Sequence, residues 1–196
     1  MFRLSIRLVI RGATAMGISI YQVAPQPANE AIREAAVIRS EALTASGLTE
    51  LQAVIDRASN LFGTSMAAVS IVFRDWQYLI AAKGMKPGVY RRATSFCGHA
   101  IMTPDDVFVV EDATRDARFA GNPSVLDDPE LRFYAGAPLL DEQGLPLGAL
   151  CVLDRTPRPA LPNAKVQELA AMAREIVALL GRHAVIAEPP RTAATG

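Results

Sequence analysis

At Gly63 the spacing of apolar residues changes from a helical period to a period of two, and few folds accommodate that change. Before it, Leu51, Val54, Ile55, Ala58, Leu61 and Phe62 recur at three- and four-residue steps, the stripe of an amphipathic helix that must be covered on one face. Thr49 and Gln52 stand at capping-box spacing, and Gly63 supplies the stop. After it, VSIVF (69–73) and QYLIAAK (77–83) are short β-rich runs separated by the polar joint Arg74-Asp75, which predicts a hairpin. A pattern written for a helix does not settle as a strand, so helices must pack on a sheet.

The remaining punctuation extends this reading. Residues 28–45 carry Ile32, Val37, Ile38 and Leu43 and stop at Gly47, which predicts an earlier helix. VFVVED (107–112) reads as a third strand. FYAGAPLL (133–140) and LGALCVLD (147–154) form a second hairpin around the turn Asp141-Glu142-Gln143-Gly144. A last helix starts near Asn163, presents Val166, Leu169, Met172, Ala173, Ile176, Val177 and Leu180, and is expected to end at Gly181. The class is therefore α+β: an antiparallel sheet of five strands with helices packed on one face. Only residues 94–103 and 113–131 remain to cover the other face, as short helices and loops, and such a covering is where small molecules bind.

Composition narrows the partners. Twenty basic and twenty acidic residues cancel, so no long-range field gathers nucleic acid or an anionic membrane. Two cysteines are too few for a disulfide framework and are expected as thiols in a cytoplasmic protein. Residues 1–20 are interrupted by Arg3, Arg7 and Arg11, so a membrane span is not expected; the arginines share a helical face, which leaves a membrane-surface segment as the alternative to a loose extension over residues 1–27. The small, Pro-containing residues 187–196 read as a disordered tail.

The densest chemistry lies in TSFCGHAI (94–101), which sets Cys97 two residues from His99. In a helix, side chains at i and i+2 diverge, so a nucleophile and base pair is disfavoured there. Ser95 or Thr94 suits the N-cap of a short helix, whose start would lower the Cys97 pKa, whereas Phe96, Ala100 and Ile101 argue for burial of the thiol as a small hydrophobe. Cys97, His99, Cys151 and His183 are too sparse for a zinc site, and no metal is expected. In EDATRDARFAGNP (111–123), Asp112 suits a turn cap, Asp116 and Arg118 a local ion pair, and Asn122-Pro123 a helix boundary. Phe96, Cys97, Phe119 and Phe133 are candidates for an apolar pocket wall, with His99, Arg132 and Tyr134 as groups that orient a ligand; filling of the core by all of them is the alternative.

Taken together and in order, SFCGHAI, VVEDATRDARFAGNP, LRFYAGAPL and LGALCVLDRTPR resemble the GAF domain of bacterial sensor proteins over about residues 48–182. The resemblance implies a profilin-like sheet of five or six strands with a ligand cavity in front, and one domain is expected over residues 28–186. It leaves the ligand open, because GAF domains take cyclic nucleotides, bilins, haem, small anions or amino-acid-like molecules, and many only dimerise. RDWQYLIAAKGM (74–85) departs from the subgroup, with a more apolar second strand around Trp76, Gln77 and Tyr78. The expectation is a stand-alone sensory module, a homodimer through parallel helices, with an unidentified small-molecule ligand, an unknown cofactor, and a separate kinase, cyclase or regulator as output. It is not expected to be an enzyme. Two alternatives follow from the resemblance: a free methionine-R-sulfoxide reductase using Cys97, and a haem or chromophore sensor using His99 or Cys97.

Overall fold

The computed structural model describes residues 20–187. In chain order the elements are α1 (Glu30–Arg39), a 3₁₀ turn (Ala42–Thr44), α2 (Thr49–Phe62), β1 (Met66–Phe73), β2 (Trp76–Lys83), β3 (Gly88–Arg91), a second 3₁₀ turn (Arg92–Thr94), α3 (Phe96–Ala100), β4 (Phe108–Val110), α4 (Pro123–Leu126), β5 (Phe133–Leu140), β6 (Pro146–Asp154) and α5 (Asn163–Ala187). The strands form one six-stranded sheet in the order β3-β2-β1-β6-β5-β4, with every neighbouring pair antiparallel. The expected α+β class is the one observed.

Strand alternation divides the interior into two cores. Ala67, Val69 and Ile71 of β1, Leu150 and Val152 of β6, and Phe133, Ala135, Ala137 and Leu139 of β5 face α1, α2 and α5. Their neighbours Met66, Ala68, Val72, Tyr134, Ala149, Cys151 and Leu153 face α3 and α4 on the other side. Every residue of β6 is buried, which is why LGALCVLD reads as an almost unbroken apolar run: a central strand has no solvent face.

A buried ion network anchors α1 to the sheet. Arg33 is fully buried; its Nη1 donates to the carbonyls of Val72 at 2.7 Å and Pro146 at 3.1 Å. Its Nε and Nη2 grip the Glu30 carboxylate at 2.9 and 2.7 Å, and Arg92 pairs with the same carboxylate from the far side. Burial alone would raise the Glu30 pKa, but the hydrogen bonds from Arg33 and Arg92 bring it down to about 2.

Several expected boundaries move. The first helix ends at Arg39 rather than running to residue 45, because the Ser40 hydroxyl bonds back to the Val37 carbonyl at 2.8 Å and Glu41 turns left-handed at φ 51°. Ile32 and Ile38, two of the apolar residues that marked this helix, are each 60% exposed. No capping box forms at α2: Leu48 is the N-cap, and the Thr49 hydroxyl donates to Glu50 instead. α5 continues through Gly181 to Ala187, since that glycine keeps helical backbone and stands in open space. The sixth strand, β3, pairs along the outer edge of β2. Among the described residues no helix is long and apolar enough to cross a membrane.

Candidate functional site

The sheet face opposite the long helices is covered by short pieces, and each is locked by local polar bonds. Ser95 caps α3 by accepting the Gly98 N–H at 3.0 Å, and Asn122 caps α4 by accepting the Ser124 N–H at 2.9 Å. Asp112 accepts from the Thr114 N–H at 3.0 Å, and Asp116 pairs with Arg118. Residues 20–25 lie across this layer: the Gln22 N–H donates to Arg118 O at 2.9 Å and the Ala24 N–H to Ala93 O at 3.2 Å. That part of the expected N-terminal extension is thus tied down, while residues 1–19 and 188–196 lie outside the described residues.

Beneath α3 and α4 is a cavity of about 160 Å3. Its floor is Ala68 of β1, Gln77 and Leu79 of β2, Tyr134 of β5, and Cys151 and Leu153 of β6; Phe96 and Cys97 of α3 and Leu131 form the roof, and Tyr90, Arg91 and Asp128 stand at the mouth. Both cysteines are buried and meet here, with their Sγ atoms 3.8 Å apart. Tyr134 Oη donates to Cys97 Sγ at 3.2 Å, Gln77 Nε2 reaches the same sulfur at 3.7 Å, and Cys151 Sγ donates to the Ala68 carbonyl at 3.5 Å. Tyr134 can lie in this position because residue 136 is glycine: a Cβ there would fall 2.2 Å from Tyr134 Oη. The neighbouring Cys151 thiol pulls the Cys97 pKa down against its burial, with Tyr134 adding to the effect, while the same contact and burial push Cys151 up. Burial also raises Tyr134 well above the ordinary phenol value. The Ser70 hydroxyl, on the same strand as Ala68, is buried with no hydrogen-bond partner.

Of the seven residues singled out in the sequence, Phe96, Cys97 and Tyr134 line this cavity. Phe119 stacks behind Phe96, with centroids 3.9 Å apart. Phe133 belongs to the core on the helix side, since it precedes Tyr134 in the same strand and so points the opposite way. Arg132 spends its guanidinium on the carbonyls of Val125 and Leu131, at 2.8 and 3.1 Å. His99 faces away from the thiols: its Nε2 donates to the Gln22 carbonyl at 3.1 Å and its ring meets Phe119 edge-on at 4.8 Å. Burial holds its pKa below the usual imidazole range, so it is a neutral donor to that carbonyl. The cavity is smaller than the roughly 300 Å3 at which drug-sized sites begin, and His99, the residue expected to hold a haem, does not line it. Sequence reasoning missed Gln77, Tyr90 and Arg91 as site residues; a four-residue edge strand such as β3 is too short to show alternation. A larger groove of about 780 Å3 lies elsewhere, between α1, the β5–β6 turn and the end of α5, and holds no comparable thiol or hydroxyl cluster.

The family profile described as GAF domain matches residues 47–186. A cyclic di-GMP phosphodiesterase of Pseudomonas aeruginosa is 39% identical over 154 residues, covering 79% of this chain but 26% of that protein. The chain therefore spans about a quarter of that relative's length. Among solved structures, the GAF domain of an Acinetobacter phosphoenolpyruvate-protein phosphotransferase superposes with a TM-score of 0.59 at 14% identity, covering 84% of this chain and 99% of that one. Free methionine-R-sulfoxide reductase of Neisseria meningitidis, solved with its substrate, gives 0.56 at 14% identity, covering 87% and 100%. At these identities the two structures speak for the fold alone.

Proposed function

The chain belongs to the GAF domain family, and from that premise we propose that residues 28–186 act as one sensory module, which holds a small ligand beneath α3 and passes its occupancy to a signalling output. The observation that carries this reading is the cavity itself, an apolar chamber with the polar atoms of Gln77, Cys97 and Tyr134 converging at one end. Its size suits a small neutral or mildly polar molecule. The phosphodiesterase of P. aeruginosa extends well beyond the matched segment, and our reading gives residues 28–186 the part of a regulatory module.

Association through helices is the second half of the proposal. α5 runs 25 residues, and Ile32, Ile38 and Val185 are exposed on α1 and α5, which supports a homodimer through parallel helices whose packing shifts with the ligand. The test is a thermal-shift screen of small metabolites on wild type and on Ala68→Leu, which fills the cavity floor. A ligand that raises the melting temperature of wild type but not of the variant supports the reading, and no shift across the screen sinks it. Sedimentation of Val185→Glu against wild type tests the dimer.

A redox enzyme is a second reading, favoured by the 3.8 Å approach of the two thiols. Reduction of methionine sulfoxide would release the sulfoxide oxygen as water and leave the thiols as a disulfide. Turnover that disappears in both Cys97→Ser and Cys151→Ser would establish it over the sensory reading.

A further inference from the structure

We propose that Cys97 and Cys151 form an oxidative modification site that a small hydroperoxide converts into an intramolecular disulfide, fastening α3 to the centre of the sheet. The inference rests on geometry and stands whether or not the cavity takes a separate ligand. The two sulfurs are already in contact at 3.8 Å, so bonding requires only a short approach toward the roughly 2.05 Å of a disulfide. One sulfur sits on a five-residue helix, which must shift toward the sheet for the bond to form, and the other on a central strand whose every residue is buried. Both border the same cavity, and its volume of about 160 Å3 admits a small oxidant while keeping bulky disulfides out.

The neighbours assign the roles. Tyr134 Oη and Gln77 Nε2 both approach Cys97 Sγ, at 3.2 and 3.7 Å, so Cys97 carries the developing negative charge and is the attacking sulfur. Its electron pair attacks the outer oxygen of the hydroperoxide. The O–O bond breaks, the leaving oxygen takes the thiol proton and departs as an alcohol or water, and Cys97 becomes a sulfenic acid. Cys151 then attacks that sulfur, the S–O bond breaks, and hydroxide leaves with the Cys151 proton as water. Two thiols are oxidised by two electrons, and one hydroperoxide is reduced. Because Cys97 lies in the roof and Cys151 in the floor, the new bond narrows the chamber between them.

The test exposes the reduced full chain to hydrogen peroxide, blocks free thiols in denaturant, and maps the cysteine peptides by mass spectrometry. The expected result is a single Cys97–Cys151 bridge within each chain. Tyr134→Phe, which removes a donor to the attacking sulfur, is expected to form the bridge about tenfold more slowly, the scale of one hydrogen bond to a charged group. Cys151→Ser is expected to stop at a sulfenic acid on Cys97 that a dimedone probe captures. Two unmodified thiols after a dose that oxidises free cysteine, or bridges between chains instead of within them, would overturn the proposal in wild type alone, without relying on the folding of any variant.

Discussion

The two faces of the sheet differ in how they are covered. One carries α1, α2 and α5, helices whose aliphatic side chains pack on Val69, Ile71, Leu150 and Val152 and whose groove of about 780 Å3 lies at the margin, between α1 and the end of α5. The other is closed by α3 and α4, five and four residues long, plus loops, and its core mixes Phe96, Phe119 and Tyr134 with two thiols around a chamber. Long helices bring enough apolar surface to fill the space directly over the central strands β1 and β6. Short ones do not, and a space remains in which polar atoms converge. Stability is thus concentrated on one face and chemistry on the other, using alternate residues of the same strands.

That contrast is broken most severely at the ion network on the helix side. Glu30→Ala leaves the fully buried Arg33 without its carboxylate, and a loss of about 3–5 kcal/mol in urea unfolding is expected. A matched pair of truncations compares the faces directly. Leu150→Ala, in the filled core, should cost about 4 kcal/mol, and Leu79→Ala, beside the existing chamber, about 2 kcal/mol, because side chains bordering a void have already forfeited contacts. Equal costs would mean that the two faces are packed alike.

Acid titration gives a smaller effect. The Glu30 pKa is lower in the folded chain than its ordinary 4.5, so its contribution is present above that value and lost as the pH falls toward about 2. Chemical unfolding between pH 5 and 2.5 should show a downward slope that is shallower in Glu30→Gln. The smallest effect is expected from Ala68→Leu, which adds carbon where space exists and should change stability by less than about 1 kcal/mol. A larger penalty would show that the chamber is narrower than its walls suggest.

Where the apolar pattern was long, it was legible. The bounds of β5 at 133–140, the end of α2 at Phe62 and the start of α5 at Asn163 all follow from stripes and stops in the chain. It was illegible where elements are short or exposed. β3 has four exposed residues, and α1 presents Ile32 and Ile38 to the outside, so neither carries a clean one-sided stripe. The candidate site was read in part: Phe96, Cys97 and Tyr134 share the cavity, but His99 belongs to the contact with Gln22, and Phe133 to the other core.

Phe133 and Tyr134 mark the division between sequence and tertiary structure. Strand geometry requires neighbours to point to opposite faces, so the sequence by itself determined that only one of the two could reach a given cavity. Which one did so depended on where the helices packed, a property of no local stretch. The same holds for Cys97 and Cys151, 54 residues apart, one in a short helix and one in a strand. Periodicity is a local consequence of backbone geometry and is written in the chain, whereas the meeting of two sulfurs depends on strand order and on which face the short helices close, and only the folded chain brings them together.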